Sequence, residues 1–326
     1  MGKVRSVLPG PKDGVLALYQ RLALALAPVT RLDLRGTWHL MRVARVMRDN
    51  FWHGAPKVWS RGTAHGYLME LDLAIHHERM TYFYGRYYEL DVQVLIDVGV
   101  QPGDTFIDVG ANSGMITLMA ARRVGPSGRV LAFEPNPLAM TRLLSSISTN
   151  SLFWVTPFAL GLSDSSATLT LRIPPGRDST CGTFGHLSGE EGRPSIEEHT
   201  APVARGDDAL CGLVSAPIAI KIDVEGFEEK VVRGLEDTIR QFRPLIITEV
   251  LGENLARAGS SVRNLFDAMN RLCYEPFRME LSTLLRSRKL RLRPIRLSDE
   301  DPPENVVWLH PGSTHYERLQ PWLRLS

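Results

Sequence analysis

Five ionisable residues stand where apolar runs stop. Asp108 lies in Phe106-Ile-Asp-Val-Gly110, and Glu134 follows Val130-Leu-Ala-Phe133. Lys221, Asp223 and Glu225 interrupt Ile218-Ala-Ile-Lys-Ile-Asp-Val-Glu-Gly226. Charged side chains inside apolar strands are costly unless they are paired or functional. With a period of two, Lys221 and Asp223 share one face of their strand. Around the first acid, Gly110, Ala111, Ser113 and Gly114 let a ligand come close to the backbone, and the helix after them offers free N–H groups. A carboxylate closing the next strand, Glu134, is placed to accept both hydrogen bonds of a ribose diol. Two carboxylates and a lysine at a further strand end supply a proton acceptor and a counter-charge.

What is missing narrows the nucleoside. A dinucleotide fingerprint counted from Gly110 needs glycines at 112 and 115, which hold Asn112 and Met115. Asp108 would repel a pyrophosphate but suits the ammonium of an amino acid. A nucleoside joined to an amino acid without phosphate is S-adenosylmethionine.

These residues need a frame of alternating strands and helices. The pattern predicts a helix over Leu90–Val98, a strand to Val109, a helix over Met115–Arg123 and a strand over Val130–Phe133. Strands over Phe153–Leu162 and Thr168–Ile173 follow, then a helix over Phe227–Phe242 and a buried strand from Leu245 to Val250 carrying Glu249. A late antiparallel pair, Tyr274–Met279 with Val306–His310, completes the sheet. The expected fold is α/β, a three-layer Rossmann-like sandwich with a mostly parallel seven-stranded sheet and an N-terminal helical extension. Residues 1–100 are expected to form that extension and 101–326 the catalytic domain. Residues 174–199, rich in Pro, Gly and Ser, read as a lid loop.

Four blocks, "FIDVGANSG", "GRVLAFEPNP", "ALGLSD" and "IKIDVEGFEEKVVRGLEDTIRQFRPLIITEV", resemble the FkbM family of class I, S-adenosylmethionine-dependent methyltransferases. They span roughly residues 100–275 in the family's order. The resemblance implies O-methylation of a sugar, glycan or natural-product hydroxyl. It implies cofactor contacts from Asp108, Gly110, Asn112, Gly114, Glu134 and Asn136, and from Ala159 and Leu160 at the adenine. Tyr88 and Glu89, just before a helix, would border the cofactor. The segment Asp178–Gly185 resembles a loop that covers the active site. Asp223 and Glu225 are the candidate bases, with Lys221 tuning them or acting itself. No metal is expected. The metal alternative is Mg²⁺ on Asp223, Glu249 and Asn254, and His186 is the one imidazole considered.

Composition is that of a globular protein, 44% apolar and 23% charged. The net charge of +2 hides an asymmetry: residues 1–66 hold eleven Lys or Arg against Asp13, Asp33 and Asp49, and Arg286–Arg296 holds six basic residues. Leu40, Val43, Ala44 and Met47 recur at helical spacing with Arg42, Arg45 and Arg48 between them, predicting a basic amphipathic helix. It is expected to pack on the core with a solvated basic face; contact with an anionic membrane surface is the alternative. Val15–Val29, broken by Gln20 and Arg21, is too short to span a bilayer or to read as a signal peptide. Cys181, Cys211 and Cys273 show no pairing or zinc spacing and read as buried thiols of a reduced, cytoplasmic protein. A small-molecule, sugar or glycan acceptor is expected and no nucleic acid. Two rival functions remain, an RNA 2′-O-methyltransferase and a non-catalytic nucleoside-binding or membrane-docking module.

Overall fold

The computed structural model describes residues 14–34, 36–174, 181–185, 196–215, 217–284, 287–296 and 302–324. The chain opens with α1 (Gly14–Ala25), α2 (Ala27–Thr30) and α3 (Thr37–Val43), a hairpin of β1 (Lys57–Arg61) and β2 (Leu68–Asp72), then α4 (His76–Tyr84) and α5 (Leu90–Gly99). Alternation follows: β3 (Thr105–Val109), α6 (Met115–Val124), β4 (Arg129–Phe133), α7 (Pro137–Thr149) and β5 (Val155–Phe158). A side branch holds β6 (Gly161–Ser163), β7 (Ala167–Ile173), β8 (Glu197–Arg205) and α8 (Gly206–Leu210). The chain then returns through β9 (Ile218–Ile222), α9 (Glu228–Gly234), α10 (Glu236–Phe242), β10 (Leu245–Glu249), α11 (Gly252–Arg257) and α12 (Val262–Arg271). It closes with β11 (Glu275–Leu284), β12 (Ser287–Pro294), β13 (Asn305–Leu309) and α13 (Thr314–Leu319).

The main sheet runs β12-β11-β13-β10-β9-β3-β4-β5. Its pairings from β10 to β5 are parallel, and those from β10 to β12 are antiparallel. Successive side chains point to opposite faces. Phe106, Val130, Ala219, Ile247 and Val307 therefore enter one core layer, and Ile107, Leu131, Ile220, Ile246 and Val306 the other. Burial on both faces is what a parallel sheet needs, and it explains why these strands read as unbroken apolar runs. The α/β sandwich matches the expectation.

The sheet has eight strands rather than seven. The added strand, β12, pairs with β11 from Leu284↔Ser287 to Phe277↔Pro294. Leu290 and Leu292 are buried in it between exposed Lys289, Arg291 and Arg293; the charges disguised the alternation. Two other expected elements are divided. Phe153–Leu162 splits because Leu160 N–H donates to the Phe158 carbonyl at 2.9 Å, turning the chain into the three-stranded sheet β6-β8-β7. The Phe227–Phe242 helix divides at Leu235, which keeps helical bonds to Val231 and from Ile239, so the path bends instead of stopping.

The first hundred residues are less helical than expected, since β1 and β2 stand among the helices. The Asn150 side chain of α7 clamps β2, accepting from Leu68 N–H and donating to its carbonyl. Helix α5 supplies Val92, Leu95 and Ile96 to the sandwich core. The predicted amphipathic helix also differs: α3 ends at Val43, and Arg45 takes a positive φ of 49°. Met41, Ala44 and Val46 are the buried residues there, while Leu40, Val43 and Met47 are exposed. Cys211 and Cys273 are exposed thiols and Cys181 is half-buried, which corrects the reading of all three as buried.

Candidate active site

One cavity lies beyond the carboxyl ends of β3, β4, β9 and β10, where open α/β sheets place ligands. Its empty volume is about 1000 Å³ including the open mouth. Asp108, Gly110, Asn112 and Glu134 line one part, and Lys221, Asp223, Glu225 and Glu249 another. Met115, Ile116, Phe133, Leu162, Phe184 and Phe227 supply apolar wall between them.

At the β3–β4 end the backbone does the positioning. Gly110 and Ala111 N–H both donate to the Phe133 carbonyl, at 2.9 and 3.0 Å. Gly110 has φ +83°, and a Cβ there would meet the Asp223 carbonyl oxygen at 1.8 Å; no other residue fits this crossing. The Glu134 carboxylate accepts Asn112 N–H on one oxygen and Asn136 N–H on the other, each at 2.7 Å. A carboxylate oxygen has two lone pairs, so each keeps one acceptor site. Burial pushes the Glu134 carboxyl up to about 7, against the pull of those two backbone donors. Asp108 accepts the Thr117 hydroxyl at 2.6 Å, and burial raises it to about 6 although Lys221 and Thr117 oppose this.

At the β9–β10 end side chains hold one another. Lys221 Nζ donates to Asp223 Oδ2 at 2.5 Å and lies 3.8 Å from Glu89 Oε2. Burial works against its charge, yet Asp223, Glu89 and Asp108 hold Lys221 well above its ordinary value. It is a fixed cation, which removes it as a proton acceptor. Glu225 takes a positive φ of 52° and accepts the Asn254 amide at 2.8 Å. Glu228 closes the turn by accepting Val224 and Gly226 N–H, both at 3.1 Å. A Cβ on Gly226, φ +110°, would meet the Asn254 carbonyl oxygen at 2.2 Å. Glu249 is buried, and its Oε2 has no hydrogen-bond partner among the described residues. Burial, then the charges of Asp223, Glu225 and Glu228, push its carboxyl up to about 11.

A profile described as the methyltransferase FkbM domain matches residues 108–276. The chain belongs to the FkbM methyltransferase family. Curated relatives include the hexuronic acid methyltransferase AglP of Haloferax volcanii, 30% identical over 49% of this chain and 61% of that protein. Methyltransferase 1 of Beauveria bassiana is 29% identical over 46% of this chain and 66% of that one. Methyltransferase sdnD of Sordaria araneosa is 31% identical over 48% and 56%. The chain thus spans less than two thirds of the length of each of these relatives. Among solved structures, the FkbM methyltransferase of Methylobacillus flagellatus aligns with a TM-score of 0.38 at 13% identity, covering 91% of this chain and 60% of that one.

S-adenosylmethionine is the family's methyl donor, and this FkbM cavity has the donor and acceptor set for it. Glu134 keeps two acceptor sites for a diol, Asp108 is a carboxylate for an ammonium, and Phe133 and Leu162 give an apolar wall for a base. Some of the expected residues stand off the cavity wall. Gly161 and Leu162, rather than Ala159 and Leu160, line the cavity, because the chain turns at Phe158 before reaching it. The Asn136 side chain accepts from Leu138 N–H as the N-cap of α7 and is off the wall. Gly114 caps α6 in a left-handed turn, shaping the loop from behind. Glu89 also sits behind the wall, between Lys221 and Asn305, whose amide donates to it at 3.0 Å. Tyr88 lines the cavity, with Tyr87 beside it at a ring distance of 4.5 Å.

One residue outside the sequence reading lines the cavity, and another takes a different character there. His77 of α4 lines the cavity, and burial, with Arg142, His76 and Arg79 nearby, lowers it to about 4; it is a neutral imidazole. It precedes the family's blocks, and no local pattern marks it. Glu249, expected to contact substrate or to serve as a metal ligand, lines the cavity with its carboxyl pushed up by burial and by neighbouring carboxylates. Asn254 presents its amide nitrogen to Glu225, and Arg257 donates to its oxygen at 3.3 Å, so it does not complete a ligand set. Among the described residues no group of three or more His, Cys, Asp or Glu side chains is arranged to hold a metal. From the expected lid, residues 181–185 return to the site. Thr183 donates its hydroxyl to the Glu225 carbonyl at 2.9 Å and bridges Arg172, and Cys181 and Gly182 line the cavity. His186, Asp178 and most of residues 174–199 lie outside the described residues.

Proposed function

We propose that the protein transfers a methyl group from S-adenosylmethionine to a hydroxyl of a sugar, glycan or natural product. The carrying observation is the wall formed by Asp223, Glu225 and Glu249 at the ends of adjacent strands β9 and β10, one backbone contact from the cofactor turn at Gly110. When bound, S-adenosylmethionine supplies a methyl on a sulfonium whose departure leaves a neutral thioether, so no acid is needed at the leaving group. An alcohol needs a base as the bond forms. Asp223 and Glu225 are the proton acceptors on this wall. Lys221 fixes the Asp223 carboxylate, and Asn254 fixes Glu225. Glu249, holding a proton at neutral pH, donates a hydrogen bond to an acceptor oxygen and aligns it. Asp108 receives the cofactor's ammonium and Glu134 its ribose. The relative that is named a hexuronic acid methyltransferase supports a sugar acceptor.

The test is an assay with labelled S-adenosylmethionine against hexuronic acid glycosides, neutral hexose glycosides and polyhydroxylated natural products, with the methyl located by NMR. A new methyl ether on one acceptor class is the expected product. A methyl on nitrogen or carbon, or a folded protein that does not bind S-adenosylmethionine, overturns the reading.

A further inference from the structure

Helices α1–α3 have two apolar sides. Inward, Ala23, Ala27, Met41 and Val46 pack with Trp52 and Phe83. Outward, where an amphipathic helix of a globular protein normally carries polar residues, stand Leu18 (58% exposed), Leu22 (61%), Val29 (47%), Trp38 (43%), Leu40 (43%) and Val43 (79%). Leu18 and Leu22 are one turn apart on α1. Between them in sequence, Tyr19 donates its hydroxyl to the Val43 carbonyl at 3.1 Å, and the Arg45 guanidinium lies 5.5 Å from the Tyr19 ring centre. The exposed face of α1 and the C-terminal end of α3, with Leu40 and Val43, are thus neighbours.

The charge on this surface has one sign. From Gly14 to Arg48 the one acid is Asp33, and Arg86 and Arg288 both bind it, at 2.7 and 2.5 Å. Among the described residues Arg21, Arg42 and Arg48 have no ion pair, and all three are exposed. Arg288 belongs to β12, whose Lys289 and Arg291 are also exposed. The Asp33–Arg288 contact therefore brings the two basic runs, far apart in sequence, to one place.

We propose that this surface, the outer face of α1–α3 with the adjoining end of β12, docks on an anionic phospholipid bilayer. Guanidinium groups meet lipid phosphates while Leu18, Leu22 and Val43 enter the boundary between headgroups and acyl chains. A nucleic acid would satisfy the arginines but offers nothing apolar to Leu22 or Val43. A second copy would set two like-charged faces against each other. The attachment is peripheral; no described helix is long and apolar enough to cross a membrane.

The experiment is co-sedimentation of the full chain with phosphatidylcholine vesicles, with and without phosphatidylglycerol. The chain is expected to pellet with the anionic vesicles and to be released by high salt. Arg42→Gln and Arg48→Gln should each lower partitioning about fivefold, and Leu22→Ser with Val43→Ser about tenfold or more. These positions are exposed, so circular dichroism and the unfolding midpoint should not change. The proposal is overturned if neutral and anionic vesicles pellet the chain equally, if neither does, or if the four substitutions leave partitioning unchanged. It is also overturned if single-stranded RNA, or self-association seen by sedimentation velocity, is what the substitutions abolish while vesicle binding stays absent.

Discussion

At the β4 end of the cavity Glu134 is fixed by two backbone N–H groups from its own and the neighbouring loop. At the β9–β10 end Asp223 and Glu225 are held by side chains. Glu89 and Asn305 stand behind Lys221, Asn254 holds Glu225, and Thr183 holds the Glu225 carbonyl. A site made of backbone tolerates change in its surroundings and offers the same geometry to every ligand. A site made of mutually supporting side chains sets proton positions, and each member's state depends on the others.

Breaking the side-chain end should have the largest effect. Asp223→Asn is expected to lower methyl transfer by about two to four decades while leaving S-adenosylmethionine affinity nearly unchanged; equal losses in both would make the two ends one unit. Glu249 sharpens the contrast. Because its carboxyl is pushed up to about 11, a protonated acid is the working form, and Gln can also donate. Glu249→Gln should stay within about tenfold of wild type, and Glu249→Ala should fall about a hundredfold. A Gln variant as slow as Ala would mean that Glu249 acts as a carboxylate.

The backbone end should respond in binding. Glu134→Ala is expected to weaken S-adenosylmethionine by about 1.5–3 kcal/mol by calorimetry, the worth of charge-assisted hydrogen bonds to the ribose. With its carboxyl raised to about 7, Glu134 is largely protonated below that pH and accepts less well. Affinity should therefore rise with pH through about 7, and Glu134→Gln should flatten the profile. The smallest effect is on stability. A folded-state value for Glu249 above the unfolded one contributes stability at low pH that is lost as pH rises past the unfolded value, about 4.5, toward about 11. At neutral pH less than half of it is gone, and Glu249→Gln should raise unfolding free energy by about 1–2 kcal/mol there. No gain between acidic and neutral pH would contradict the raised value.

The same contrast explains what the sequence revealed. Asp108, Gly110 and Glu134 were legible because a strand, a glycine turn and an acid at the next strand end are local features. The sandwich was legible because strands buried on both faces are continuous apolar runs. That Gly161 and Leu162 line the cavity in place of Ala159 and Leu160 was not legible, because a turn at Phe158 leaves no signal in an apolar segment. His77 and the raised carboxyl of Glu249 were not legible because both shifts come first from burial and then from charges distant in sequence, Arg142 for the first and Asp223, Glu225 and Glu228 for the second. The outward-facing Leu40 and Val43 were missed because helical spacing does not say which apolar side meets the core.

The contact of Gly110 with the Asp223 carbonyl joins the two ends backbone to backbone, and Asp223 N–H returns a hydrogen bond to Val109 at 2.9 Å. For protein engineering this divides the site into a chassis and replaceable parts. The spacing between the two ends of the cavity is set by main chain, so it should survive redesign of the walls. Altered acceptor range is best sought at Tyr88 and Phe184, which line the cavity, and libraries should leave Gly110 untouched.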